Sequence, residues 1–265
     1  MPDSLVLIKT DARGVATIIL NRPEVNNSYN SEMIQALSEG VSQLASDDRV
    51  RLIVLKGNGV HFQAGADLNW INELSSRSNE ENITVSKQIA SAIQNLDSCL
   101  KPTIALIHGG CFGGGTGIVA ACDIAIASVD AVFSISEVRW GLHAGPILPQ
   151  LVTAIGVRNA RRFAITGEKF NALDAQKLGL VHEICEEGKL EDTSRPIIDA
   201  ILKNAPNSIL DTKRIIFDIA GLVIDNEKFV DLIRDHAHKR SSEEAAEGLA
   251  SFREKREASW YPGNI

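Results

Sequence analysis

Two glycine-rich stretches stand where backbone groups could meet a ligand. Residues 57–68 follow the apolar run 52–55, and residues 109–117 follow the apolar run 103–107. Without a Cβ, glycine lets a main-chain N–H approach a bound group closely. In the second stretch, Ile118 to Ala121 continue as an apolar run, which sets a helix N-terminus at Gly114 or Gly115. The free amides and dipole of such an end favour an oxyanion. One amide from each loop would make an oxyanion hole. Each loop taken alone reads equally well as a tight connection. Downstream, Glu137 closes the segment 132–137 with a carboxylate suited to general acid–base work, although a lone glutamate there is more often a solvated strand end.

Other chemistries are disfavoured. Ile118 stands where a dinucleotide fingerprint needs its third glycine after Gly113 and Gly115, and there is no phosphate loop of the GxxxxGK[ST] type. Cys99, Cys111, Cys122 and Cys185 form no CxxC pair and no zinc-like cluster with histidine. They read as reduced structural residues, with a nucleophilic Cys111 as the lesser alternative. A net charge of −7 opposes nucleic-acid binding, while one small basic pocket for a phosphorylated ligand stays open. The chain shows no secretory start and no run of about 18 apolar residues, so a cytoplasmic protein without a membrane anchor is expected.

The elements that must carry these loops follow from the pattern. With 265 residues, 44% hydrophobic and 23% charged, the chain can fold throughout around a sizeable core. Short β-branched runs at 15–20, 52–55, 103–107, 123–127 and 132–135 alternate with helical or glycine-rich segments, which predicts an α/β fold. Ser31 is placed as the N-cap of a helix bearing Ile34, Leu37, Val41 and Leu44, and residues 83–96 form another. After Ile147 the strand signal survives only at 180–184. Pro206, Asn226 and Ser241 or Ser242 are expected to open further helices.

Residues 62–68 resemble the F-x-A-G-A-D-[IL] motif of the enoyl-CoA hydratase (crotonase) family, Gly113 to Gly115 its GGG turn, and 133–137 its F-x-x-P-E segment. The likeness extends to Asn21-Arg-Pro23, Thr166-Gly167, 175–181 and 252–256. The resemblance implies a crotonase-type spiral of ββα turns over residues 1–200 and a C-terminal helical trimerisation region over 201–265, assembled as a homotrimer or a dimer of trimers. It also implies an acyl-CoA substrate, no metal, and no cofactor beyond the coenzyme A part of that substrate. By position, Ala66 and Gly114 would hold the thioester oxygen and Glu137 would be the acid/base. Ala64, Asp67 and Leu68 would line the coenzyme A site, with Lys255 a further contact.

One departure bears on mechanism. The family's two-glutamate hydratases carry a first glutamate at the position of Gly117, and Ser136 replaces the proline before Glu137. Adding water needs a base for the water and an acid for the α-carbon, so Glu137 would have to serve both steps. Arg139 could meet a second substrate carboxylate, although a surface salt bridge accounts for it as well, and His143 could bond the substrate or be structural. Trp70, Trp140 and Phe133 either shape the pocket or pack the core. The pattern, with Pro146-Ile-Leu-Pro149, resembles hydratases of 3-branched glutaconyl-CoA esters from acyclic terpene breakdown or, next, leucine breakdown. A Δ3,Δ2-enoyl-CoA isomerase is the rival reading, and a catalytically silent acyl-CoA binder or RNA-binding scaffold a remoter one.

Overall fold

In the computed structural model the described residues are 4–220 and 242–263. A six-stranded sheet runs β1 (Val6–Thr10), β2 (Val15–Leu20), β3 (Leu52–Gly57), β4 (Thr103–Ile107), β6 (Ile124–Ser128) and β9 (Glu183–Cys185), with β1 antiparallel to β2 and every other pair parallel. A second sheet pairs β5 (Gly110–Phe112) with β7 (Val132–Ser134) in parallel and β7 with β8 (Phe170–Asn171) antiparallel. Consecutive strands divide between the sheets: β4 then β5, β6 then β7. The stretch after β3 joins the same pattern through a bridge from Gln63 to Cys111. This repetition is the expected ββα spiral.

The large sheet is buried on both faces, which explains why its strands read as unbroken apolar runs. Ile18, Ile53, Leu55, Ala105 and Ile107 face the main core with α1 (Ser31–Ser46), α3 (Asn79–Asp97), α4 (Gly114–Ala121) and α5 (Leu148–Thr166). Leu52, Val54, Ile104, Leu106 and Ile126 face α7 (Leu190–Lys203) through Leu190, Ile198 and Leu202. The remaining α-helices among the described residues are α2 (Leu68–Ser75), α6 (Ala172–Leu178), α8 (Pro206–Ile219) and α9 (Glu243–Glu254).

Several expectations shift. The cap of α1 is Asn30, whose side chain accepts from the Met33 N–H, so Ser31 is the first helical residue rather than the cap. Helix α3 starts four residues before the expected Ile83, because Ser78 and Glu81 close a reciprocal capping box. Strand β9 lies later than 180–184, since Leu180 and Val181 point into the main core. Strands β1, β5 and β8 were not expected. Pro206 opens α8 and Ser242 caps α9, whereas Asn226 lies outside the described residues. The seam expected between 200 and 201 falls inside α7, whose Leu202 is fully buried against the sheet.

Helix α8 is tied to the sheet through charge. Lys213 Nζ donates to Asp123 Oδ2 at 2.6 Å, and the same oxygen accepts from the Thr103 amide and hydroxyl at 2.8 and 2.9 Å. Replacing Lys213 by Met keeps most of the stem but leaves this partly exposed carboxylate without its cation. The expected cost is about 2 kcal/mol, below the value for a fully buried pair because Asp123 keeps some solvent contact, and urea unfolding of Lys213→Met measures it.

Candidate active site

A cavity of about 890 Å³ opens between the two glycine-rich loops, α3 and the segment 136–147. Gln63 holds the loops together. Its N–H donates to Gly110 O at 3.1 Å, and its carbonyl accepts from the Phe112 N–H at 2.9 Å. Its buried side chain closes on Gly65 from both sides, accepting from the N–H at 2.9 Å and donating to the carbonyl at 2.8 Å. Gly65 is thereby fixed at φ +89°, a conformation L side chains avoid.

The next residue is Ala66. Tyr29 straddles it, donating to Gly65 O at 3.0 Å and accepting from the Asp67 N–H at 2.9 Å. The Ala66 amide between those bonds has no acceptor among the described residues. Across the cavity floor, the Gly113 N–H donates to Ser134 O at 2.9 Å, and Gly114 begins α4. A first-turn amide has no partner within its own helix, and no described residue accepts from Gly114 either. Two amide donors are thus left for an outside acceptor.

Glu137 opens a short 3₁₀ turn (Glu137–Trp140) directly after β7. Its Oε1 lies 3.0 Å from where a Cβ on Gly113 would stand, so the carboxylate rests against the peptide that leads into Gly114. Its Oε2 is buried and has no hydrogen-bond partner. Burial pushes the Glu137 pKa above the usual carboxylate range, partly offset by a bond from its own backbone N–H. A half-buried carboxylate with one buried oxygen left unpaired, beside two unpaired amides, can take a proton while a negative oxygen is held nearby.

The position of the missing carboxylate is filled. A Cβ on Gly117 would lie 2.6 Å from the Cβ of Ile147 and closer still to its Cγ2. Ile147 is itself buried and lines the cavity. Any side chain at 117 is excluded, so Glu137 is the only carboxylate lining the cavity among the described residues.

Ala64, Ala66 and Leu68 line the cavity as the sequence suggests, and so do Arg139, His143 and Trp140, whereas Gly114 is not itself in the lining and meets it through its neighbour Gly113. Asp67 does not. Its Oδ1 caps α2 through the Asn69 N–H at 3.1 Å, and its Oδ2 pairs with Arg22 at 3.2 Å, so the carboxylate braces the loop. Lys255 ends α9 in a left-handed conformation and is not in the cavity lining. Phe133 is fully buried and stacked on Phe170, and Trp70 packs edge-on to Tyr29 among Ile34, Leu74 and Val85, so both belong to cores. The four cysteines are free and buried, and burial lifts the Cys111 thiol well above its ordinary pKa, which disposes of a thiolate nucleophile. Among the described residues no three His, Cys, Asp or Glu side chains gather as for a metal ion, and no helix is long and apolar enough to cross a membrane. Sequence reasoning missed Tyr29, Gln63 and the steric part of Ile147. The only available signal was the unusual Pro146-Ile-Leu-Pro149 run.

The family model described as enoyl-CoA hydratase/isomerase matches residues 10–262. The chain belongs to the enoyl-CoA hydratase/isomerase family. It is similar to a putative enoyl-CoA hydratase of Thermus thermophilus, 31% identical over 94% of this chain and 98% of that one. It is also similar to the mevalonyl-coenzyme A hydratase sidH of Aspergillus fumigatus, 31% identical over 95% and 93%. The crystal structure of an enoyl-CoA hydratase from Shewanella pealeana superposes with a TM-score of 0.92 at 34% identity, covering 97% and 96% of the two chains. The fold is the crotonase fold, and the activity is of the hydratase/isomerase type on coenzyme A thioesters.

Two predictions follow from this enoyl-CoA hydratase/isomerase site. Gly117→Ala overpacks against Ile147 and lowers stability by about 1–3 kcal/mol despite the better helix propensity of alanine. Combined with Ile147→Ala the added methyl has room, so a double-mutant cycle by denaturant unfolding gives a strongly non-additive result. Separately, a carboxylate whose folded pKa is raised contributes stability that is present below its unfolded pKa and lost as pH rises through the folded value. Glu137→Gln is therefore expected to melt above the wild type at pH 8, with the gap closing below about pH 4.

Proposed function

We propose that this protein is a hydratase that adds water across the double bond of a 3-branched glutaconyl-type enoyl-CoA, using Glu137 alone for both proton transfers. The observation that carries this reading is the unpartnered, buried Oε2 of Glu137 beside two unpaired amides, with the second carboxylate position closed by Ile147. The thioester oxygen accepts from the Ala66 and Gly114 N–H groups. Glu137 takes a proton from water as the hydroxyl oxygen bonds to C3, and the electron pair moves through the enolate to the thioester oxygen. The same proton then returns from Glu137 to C2, which restores the carboxylate and completes net addition of one water. The raised pKa suits this cycle, since it makes the carboxylate a stronger base toward water and holds the transferred proton on the carboxyl until C2 takes it.

The substrate class is supported by the walls. Arg139 lines the cavity with no ion-pair partner among the described residues, and a guanidinium matches the distal carboxylate of a glutaconyl group. Leu68, Ile71, Leu74, Val85 and Ile89 make an extended apolar wall that suits an isohexenyl branch better than a methyl. The fungal relative is named for mevalonyl-CoA, whose acyl group is also branched at C3. A single base also suffices to move one proton between C2 and C4, which makes Δ3,Δ2-enoyl-CoA isomerisation the second reading.

Incubation with isohexenylglutaconyl-, 3-methylglutaconyl- and crotonyl-CoA, followed by mass spectrometry, separates these readings. The expected result is a gain of one water, fastest on the isohexenyl ester, with kcat reduced about 10²–10⁴-fold in Glu137→Gln. Arg139→Gln raises KM about tenfold for the glutaconyl esters and leaves crotonyl-CoA unaffected. A shifted double bond with no added mass would establish the isomerase instead.

A further inference from the structure

The geometry around Tyr29 has no part in the proposed reaction, yet this residue touches both sides of the oxyanion site. Its main chain brackets Ala66 by hydrogen bonds to Gly65 and Asp67. Its ring lies against Gly114, where any Cβ would collide with Cε1. The aromatic ring is held edge-on by Trp70 at 5.9 Å between centroids, with Ile34 and Val85 in the same apolar cluster. Tyr29 lines the cavity, and its hydroxyl has no hydrogen-bond partner among the described residues.

The position of that hydroxyl can be bounded. Oη lies 3.2 Å from where a Cβ on Gly114 would stand, and a Cβ lies about 2.5 Å from its own nitrogen, so Oη is no more than about 5.7 Å from the Gly114 amide nitrogen. Two donors that share one oxygen acceptor, each at about 2.9 Å, are separated by at most about this distance. A single ligand oxygen can therefore accept from both the Gly114 N–H and the phenol. Glu137 flanks the neighbouring Gly113, so acid/base and phenol stand at consecutive α-carbons of the peptide that supplies the donor.

We propose that the Tyr29 hydroxyl is a third hydrogen-bond donor to the thioester oxygen, joining the amides of Ala66 and Gly114. This deepens the reading above, resting on its placement of the thioester but not on whether water is added. A phenol is a stronger donor than an amide, and its gain is largest when the oxygen becomes an enolate, so the bond acts mainly in the transition state. Burial first, and the nearby Glu137 second, push the Tyr29 pKa up, which keeps the group protonated throughout the working range. With only one carboxylate available, added stabilisation of the enolate is where such a site can recover rate.

The test uses butyryl-CoA labelled with carbon-13 at the carbonyl, a saturated thioester that can be neither hydrated nor isomerised. Its carbonyl stretch is followed by difference infrared spectroscopy on wild type, Tyr29→Phe and Glu137→Gln. The stretch is expected to fall on binding to wild type and to Glu137→Gln, and to recover part of the way in Tyr29→Phe, with the melting temperature of that variant checked in parallel. In turnover, Tyr29→Phe is expected to lose about 10- to 100-fold in kcat with KM little changed. An identical bound carbonyl frequency in wild type and Tyr29→Phe overturns the third donor while leaving the hole intact. The absence of any shift in the wild type overturns the placement of the thioester itself, and the phenol with it.

Discussion

Everything in the site depends on two main-chain amides being kept without partners at the meeting point of two loops. A buried N–H left unbonded costs about as much as a lost hydrogen bond, and native chains rarely tolerate it. Here four amides around the pair are engaged: Ala64 donates to Asn26, Gly65 to the Gln63 side chain, Asp67 to Tyr29 and Gly113 to Ser134. Asn27, fully buried, adds a second brace by donating to the carbonyls of Asn58 and His61, both at 2.8 Å. The loops cannot turn these two donors inward without breaking that set. The open amides are thus a preorganised site, and folding has already met the cost of arranging them.

That constraint accounts for the glycines at particular places. Gly113 must leave room for the Glu137 carboxylate and Gly114 for the Tyr29 ring, while Gly115 abuts the Gln63 side chain, so three consecutive positions each admit a different neighbour. A side chain at any of them would displace a component of the site rather than merely crowd a turn. Gly117 is of another kind, because what fills its space is Ile147, an apolar residue from the start of α5.

The loops were legible because strand, glycines and apolar helix follow one another in the chain, and Glu137 because it closes a β-branched run. The sheet was legible where both faces are buried. Strand β1 was not, since only Val6 of its five residues is buried and the rest are partly or fully exposed at a sheet edge. Strands β5 and β8 are only three and two residues long, and they exist by pairing: β8 with β7, and β5 with β7 and the stretch at Gln63. Within the site, Tyr29 and Ile147 converge from 85 or more residues away or across a helix boundary, and sequence spacing carries no record of that contact. Asp67 shows the opposite failure: a carboxylate in a motif invites a ligand role, but its two oxygens are taken by a helix cap and by Arg22.

Closing position 117 changes what the remaining carboxylate must be. With two carboxylates, one can stay ionised as base while its neighbour stays protonated as acid, and each environment can be set separately. With one, the same group must be ionised when it meets water and protonated when it meets the enolate carbon, so its pKa has to lie between the demands of both steps. A fully solvated glutamate would be too weak a base and too readily ionised for the second step. Burial of Glu137 at the cavity wall raises its pKa, while Ile147, which lines the same cavity, excludes a side chain at position 117. The closing of position 117 and the burial of Glu137 are thus two features of one cavity, and together they leave the proton transfers to a single carboxylate of raised pKa.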